Sequence, residues 1–165
     1  MDHLIERYSP LLTGLCMHLC QNRADAEDLF QDTWERVLKE SKKRDLRDLS
    51  YAQAWITRIC TNLYLDRARK RTRERRAEFD STEEKDAFLQ SIPEPSVKEK
   101  YGELYDALER LDPEHKSVIV LKYFYGYPDS QIAAILNIPE GTVRSRLHKG
   151  KLLLRSDLCN EPSNR

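Results

Sequence analysis

Between Glu140 and Arg155 the sequence spaces Arg144, Ser145, His148 and Lys149 so that they share one side of a helix, with Thr142, Arg146 and Lys151 alongside. Side chains of these types donate hydrogen bonds to base edges and neutralise phosphates. A guanidinium fork matches O6 and N7 of guanine together, worth about 1–3 kcal/mol of discrimination. Each Lys or Arg beside a phosphate also releases a condensed counterion. The surrounding residues 128–155, PDSQIAAILNIPEGTVRSRLHKGKLLLR, supply a frame for them. Asp129 or Ser130 is expected to cap a short helix with apolar positions Ile132, Ala133 and Leu136. Asn137-Ile138-Pro139 makes a tight turn, since Pro139 disfavours a helical conformation at Ile138. A second helix then starts near Glu140 and turns Val143 and Leu147 inward, and small Ala133 lets the two helices approach. Helix, short turn and basic second helix make a helix-turn-helix, whose second helix enters the major groove. Arg144, Ser145, His148 and Lys149 are expected at base edges, and Thr142, Arg146 and Lys151 nearer phosphates. An ordinary helical hairpin is the bland alternative.

A net charge of zero over 165 residues argues against a polyanionic partner, but its distribution reverses that argument. Residues 56–76 hold eight basic side chains against two acids, residues 77–114 twelve acids against four bases, and residues 140–155 five bases against one acid. Two cationic islands flank one anionic stretch, the footprint of a bipartite polyanion binder.

The elements that must position these islands are helical. Only five glycines occur, with no Asn-Gly or Asp-Gly pair to close a hairpin. Ile5, Tyr8, Leu12, Leu15 and Leu19 form one apolar stripe, with Pro10 expected to kink or delay that helix. Asn22 to Asp25 reads as a turn with an N-cap, and Ala26, Leu29, Phe30, Thr33 and Val37 form a second stripe. After a polar loop from Ser41 to Ser50, a third helix is expected to start near Tyr51 and bury Trp55, Ile56, Ile59 and Leu63 before entering the first cationic island. Periodicity fails from Ala77 to Glu99, apart from a short helix expected at 86–91, and Pro93-Glu94-Pro95-Ser96 reads as a breaker. It returns at Tyr101, with Leu104, Leu108 and Leu111, before Asp112 caps a helix opened by Pro113 that stops near Gly126. The fold class expected is all-α: two small helical domains, 1–76 and 100–165, joined by a flexible acidic linker over 77–99.

Several function classes fall away. The longest apolar runs are far short of the about 20 residues a membrane span needs, so no membrane insertion is expected. Asp2, Glu6 and Arg7 interrupt any secretory signal, and a cytoplasmic location follows as the expectation. The four cysteines lack the spacing of a disulfide framework. Cys16 and Cys20 share a helix face, but His18 points away from both, so no metal site and no cofactor are expected. No nucleophile elbow, phosphate loop or zinc-protease helix is present, and the chain is not expected to be an enzyme.

Taken together, these segments resemble the extracytoplasmic-function, or group IV, sigma factors of bacterial RNA polymerase. Residues 24–38, ADAEDLFQDTWERVL, look like the family's region 2.2. Residues 51–71, YAQAWITRICTNLYLDRARKR, look like its regions 2.3 and 2.4. Residues 105–155 look like its region 4, with LERLDPEHKSVIVLKYFYGYPDSQIAAIL and GTVRSRLHKGK. Members of the family lack the middle domain of housekeeping sigma factors, a plan that the acidic linker matches.

The resemblance implies three surfaces and a set of partners: RNA polymerase core, through the largest-subunit coiled coil and the flap, promoter DNA, and an anti-sigma factor in many members. Asp28, Gln31, Asp32 and Glu35 would face the coiled coil; the three acids share one stripe at i, i+4 and i+7. Asn62 and Asp66, one turn apart, would meet unstacked bases of the −10 element. A loop at Arg47, Asp48 and Ser50 would form a pocket there, and Arg58, Arg69, Lys70 and Arg71 would follow the backbone. The alternative for Asn62 is a structural cap or core amide, and Trp55 reads as a core anchor rather than a stacking platform. The helix-turn-helix would read the −35 element. A linker of 23 residues reaches about 80 Å extended but averages about 27 Å as a free coil, so a larger machine must hold the domains apart. The alternatives are a stand-alone helix-turn-helix regulator, which needs no polymerase, and a helical adaptor, which binds protein only.

Overall fold

A computed structural model describes residues 2–44, 51–77 and 95–160. Its regular structure among those residues is entirely helical, in two compact units, Met1–Ile92 and Pro93–Arg165.

The first unit is a bundle of α1 (Asp2–Leu19), α2 (Arg23–Ser41) and α3 (Ala52–Ala77), each packed on the other two. Asn22 caps α2: its side-chain oxygen accepts from the Asp25 backbone N–H at 2.8 Å. Leu12, Leu15, Leu29, Val37 and Ile56 are fully buried, each contributing about 1.5–3 kcal/mol by leaving water. Buried threonines satisfy their hydroxyls within their own helices, Thr33 on the Leu29 carbonyl at 2.6 Å and Thr61 on the Thr57 carbonyl at 2.7 Å.

Three expectations change. α1 starts at Asp2 and continues through Pro10, which lies on its exposed face, so the proline does not delay the helix. Trp34, outside the expected stripe, is buried edge-on to Phe30 at 6.3 Å, while Phe30 is half-buried. Ile56 and Ile59 are buried as expected, but Trp55 and Leu63 are half-buried, and the other core positions of α3 are Ala52, Thr57, Cys60, Thr61 and Leu65. Trp55 sits at the edge of that stripe, where the Arg44 guanidinium lies 5.6 Å from its ring centroid.

The second unit contains α4 (Pro95–Arg110), α5 (Pro113–Ile119), which continues into one π-helical turn at Val120–Phe124, then α6 (Asp129–Leu136) and α7 (Glu140–Asn160). α4 begins at Pro95, earlier than Tyr101, because proline is tolerated in a helix's first turn, where its missing N–H has no partner to lose. Helix thus enters the expected 77–99 linker from both ends, and the expected short helix at 86–91 lies outside the described residues. Asp112 caps α5 as expected, accepting from the His115 N–H at 2.9 Å with Pro113 next to it. Gly126 ends the π-helical segment with φ +69°, a left-handed conformation that glycine adopts without Cβ strain. No helix among the described residues is long and apolar enough to cross a membrane.

All four cysteines are thiols. Cys16 of α1 and Cys60 of α3 lie in the bundle core with their Sγ atoms 3.7 Å apart. Contact with Cys60 and burial both push the Cys16 thiol far above its ordinary pKa, so it stays protonated and a poor nucleophile. Cys159 is exposed and Cys20 half-buried. A maleimide should therefore add to Cys159 and Cys20 in the native protein and reach Cys16 and Cys60 only after unfolding, a difference that intact-mass spectrometry with and without denaturant reads directly.

Candidate functional site

The helix-turn-helix is built by backbone bonds as much as by side chains. α6 ends in Asn137, whose φ of 53° and ψ of 51° are left-handed, and the Ile138 N–H returns to the Ala133 carbonyl at 3.0 Å. Together these close a Schellman-type turn. The Pro139 carbonyl then accepts from the Thr142 and Val143 N–H groups at 3.0 and 3.2 Å, starting α7. The expected cap at Asp129 or Ser130 is replaced by Pro128, whose carbonyl accepts from Gln131 and Ile132, both at 3.0 Å. The Asp129 carboxylate is engaged elsewhere, accepting from Lys122 Nζ at 2.8 Å.

Val143, Leu147 and Gly150 form the inward line of α7. A Cβ on Gly150 would stand 3.1 Å from Ile119 Cγ1, so the missing side chain is what lets α7 cross α5 this closely. With that face committed, Arg144, Ser145, His148, Lys149 and Lys151 are exposed and Thr142 half-buried. Two of these cationic positions also touch the fold. Arg146 is tied to Glu114 on α5 at 3.4 Å, and Lys151 Nζ lies 5.7 Å from the Tyr123 ring centroid.

In the first unit, Arg58, Asn62, Asp66 and Arg69 fall along one side of α3; Asn62 is half-buried and the other three are more open to water. Asp66 and Arg69 pair at 3.4 Å, and Lys70 reaches Glu74 at 4.0 Å. On α2, Asp28, Gln31, Asp32 and Glu35 are all exposed. Arg47, Asp48 and Ser50 lie outside the described residues.

Contacts that sequence spacing did not suggest join the two surfaces. α2 and α3 run antiparallel, and Arg67 pairs with Asp32 while Arg71 Nη2 lies 3.1 Å from Asp25 Oδ2. Arg67 also donates to the Asp28 carbonyl at 3.4 Å. These partners are 35 to 46 residues apart in the chain, and helical periodicity carries no information about which faces of two helices meet.

Residues 4–74 match Sigma-70 region 2, and residues 101–154 match Sigma-70, region 4. The chain is 32% identical over 165 residues to the ECF RNA polymerase sigma factor SigW of Bacillus subtilis, covering 94% of this chain and 87% of that protein. The chain belongs to the extracytoplasmic-function sigma factors of the sigma-70 family. This sigma factor is also 33% identical to the ECF sigma factor SigE of Mycolicibacterium smegmatis, over 98% of this chain but 63% of that longer protein. Among solved structures its fold is similar to the sigma factor RpoE of Bartonella quintana, crystallised in complex with the anti-sigma factor NepR. That likeness has a TM-score of 0.71 at 23% identity and covers 98% of each chain.

The Arg146 ion pair separates two kinds of arginine on α7. An Arg144→Ala variant of this sigma factor should weaken binding to duplex DNA and flatten the slope of log affinity against log salt by about 0.9 for each phosphate that is no longer neutralised. Arg146→Ala should instead lower the thermal stability of the second unit, by no more than about 1 kcal/mol for a partly exposed pair, with a smaller change in salt slope. DNA titrations at several salt concentrations, paired with thermal melts, measure both.

Proposed function

We propose that this sigma factor docks on RNA polymerase core through α2 and directs initiation at promoters whose −10 and −35 elements are met by α3 and α7. The observation that carries the reading is the pairing of two separately folded units, one matching region 2 and the other region 4, each presenting a cationic helix. Asp28, Gln31, Asp32 and Glu35 supply the acidic docking stripe, whose exposure suits a basic partner surface. Asn62 and Asp66 meet bases of the opened −10 strand, with Arg58, Arg69, Lys70 and Arg71 along its backbone and Arg47, Asp48 and Ser50 at the pocket. Arg144, Ser145, His148 and Lys149 read the −35 element, and Thr142 and Lys151 flank them near phosphates. Arg146 holds α7 to α5 and so sets the angle at which that face is offered.

In this role the chain is no enzyme; the polymerase performs phosphodiester synthesis, and the sigma factor works in the cytoplasm beside it. An anti-sigma factor is a further expected partner, in keeping with the similar fold crystallised with one. A stand-alone regulator is disfavoured because it has no use for a region 2 unit carrying an acidic face that DNA would repel.

Purified core polymerase and this chain should together produce defined transcripts from the DNA upstream of the chain's own gene, where neither does alone. Asn62→Ala should reduce open-complex formation at −10, seen as lost permanganate reactivity of unpaired thymines, while leaving core binding intact. An unaided footprint by the free chain would favour the regulator instead.

A further inference from the structure

The two cross-helix ion pairs lie where the proposed polymerase surface and the proposed −10 surface meet. Arg67 and Arg71 stand about 100° round α3 from Asp66 and Lys70, so they border the DNA face yet lean onto α2. Asp32 is on the docking stripe, and Asp25 extends that stripe by one turn. Two acids that a basic partner would seek are therefore already engaged by cations, and two cations that DNA would seek are already engaged by acids. The pairs are half-open to water: the side chains of Arg67 and Asp32 are 29% and 53% exposed, and those of Arg71 and Asp25 are 57% and 29% exposed. Pairs of that kind are weak enough to be displaced.

We propose that Arg67 and Arg71 are exchangeable counter-ions: a cationic partner surface docking on α2 takes their place at Asp32 and Asp25 and releases both guanidiniums to the nucleic-acid backbone along α3. The inference rests on the reading of α2 as the polymerase face and of α3 as the −10 face. It adds a coupling between them, since binding at one surface changes the charge available at the other. Coupling of this kind is reciprocal, so DNA occupying the arginines also uncovers the acids for the partner. Arg71 is the easier of the two to release. Arg67 keeps a second bond, to the Asp28 carbonyl, that a partner's cation does not compete for.

The size of the effect follows from counterion release. Each cation newly placed on single-stranded DNA steepens the salt slope by about 0.7, which at 0.1 M salt amounts to about fivefold in affinity. Fivefold is about 1 kcal/mol, the upper end for an exposed pair, so the masking and its release are of matched size.

The test uses the full chain without polymerase and a fluorescent mixed-sequence single-stranded DNA as probe. Asp25→Asn with Asp32→Asn should raise affinity about fivefold per arginine released and steepen the salt slope by about 0.7 to 1.4. The control is Glu27→Gln with Glu40→Gln, which removes the same charge from α2 but, among the described residues, unpairs Arg23 and Arg36 of that same helix. Equal gains in the two double variants overturn the proposal. A cycle of Asp25→Asn with Arg71→Gln keeps the test valid if loss of Asp32 unfolds the bundle. The gain from Asp25→Asn should vanish when Arg71 is absent, and its persistence overturns the exchange. Binding of Asp28→Asn with Glu35→Gln to core polymerase is measured separately. Unchanged core binding there sinks the docking reading without touching the DNA result, so the two failures are told apart.

Discussion

The rotation of α3 about its own axis is the constraint on which the first unit depends. Ile56, Ile59 and Cys60 commit one face of its first half to the bundle, and the directions of the other side chains of α3 follow from that choice. From Asp66 onward none of its described residues is buried. The last three turns extend past the apolar core as a cationic helix, and burial energy cannot hold them. What touches them is α2, through Asp32 and Asp25, and the charges at the helix C-terminus also suit its dipole. The same few buried side chains thus fix where Asn62 and Arg58 are offered and which arginines fall against the neighbouring helix.

The second unit solves a similar problem by different means. α7 has a narrow inward line, Val143, Leu147 and Gly150, so its outward face is wide. Its angle is set by the left-handed Asn137, by the paired N–H groups on the Pro139 carbonyl, and by the close pass over Ile119 that Gly150 permits. Arg146 adds a polar tie to α5 from the edge of the same face. A recognition surface is held rigid here by backbone geometry and one missing Cβ, which spares most of its exposed cations any structural duty. Lys151, against Tyr123, is the partial exception.

Much of this was legible in residue order because its physics is local. The Asn22 and Asp112 caps, the turn at Asn137 and the inward pair Val143 and Leu147 depend on neighbours within a few positions, and residue spacing places them correctly. The same holds for the all-helical class. The misplaced helix limits both involve prolines, whose effect depends on their place in the helix and on how the helix is packed, and residue order does not show either. Pro95 opens a helix, where the missing N–H has no partner to lose, whereas Pro10 forfeits its bond to the Glu6 carbonyl on an exposed stretch that the packing of α1 carries through. What sequence could not supply is everything between helices. Trp34 takes a core place that a strict stripe denied it, Cys16 finds Cys60 across the bundle, and Arg146 is spent on Glu114. Periodicity gives a helix its face but not the identity of its neighbour.

That distinction bears on how a chain of zero net charge can bind a polyanion. Counting by segment separates cationic from anionic blocks, but it treats every charge in a block as equally available. In the folded first unit availability is unequal. Arg58 faces outward from α3 and is exposed, whereas Arg67 and Arg71 answer acids of α2. The electrostatic field that DNA meets is therefore weaker than the +6 of residues 56–76 suggests, and the field a basic partner meets on α2 is weaker than its row of carboxylates suggests. In the proposed exchange, each surface gains strength when the other is occupied. Under the proposed exchange, two half-exposed ion pairs would hold back binding to scattered DNA until the partner surface is engaged.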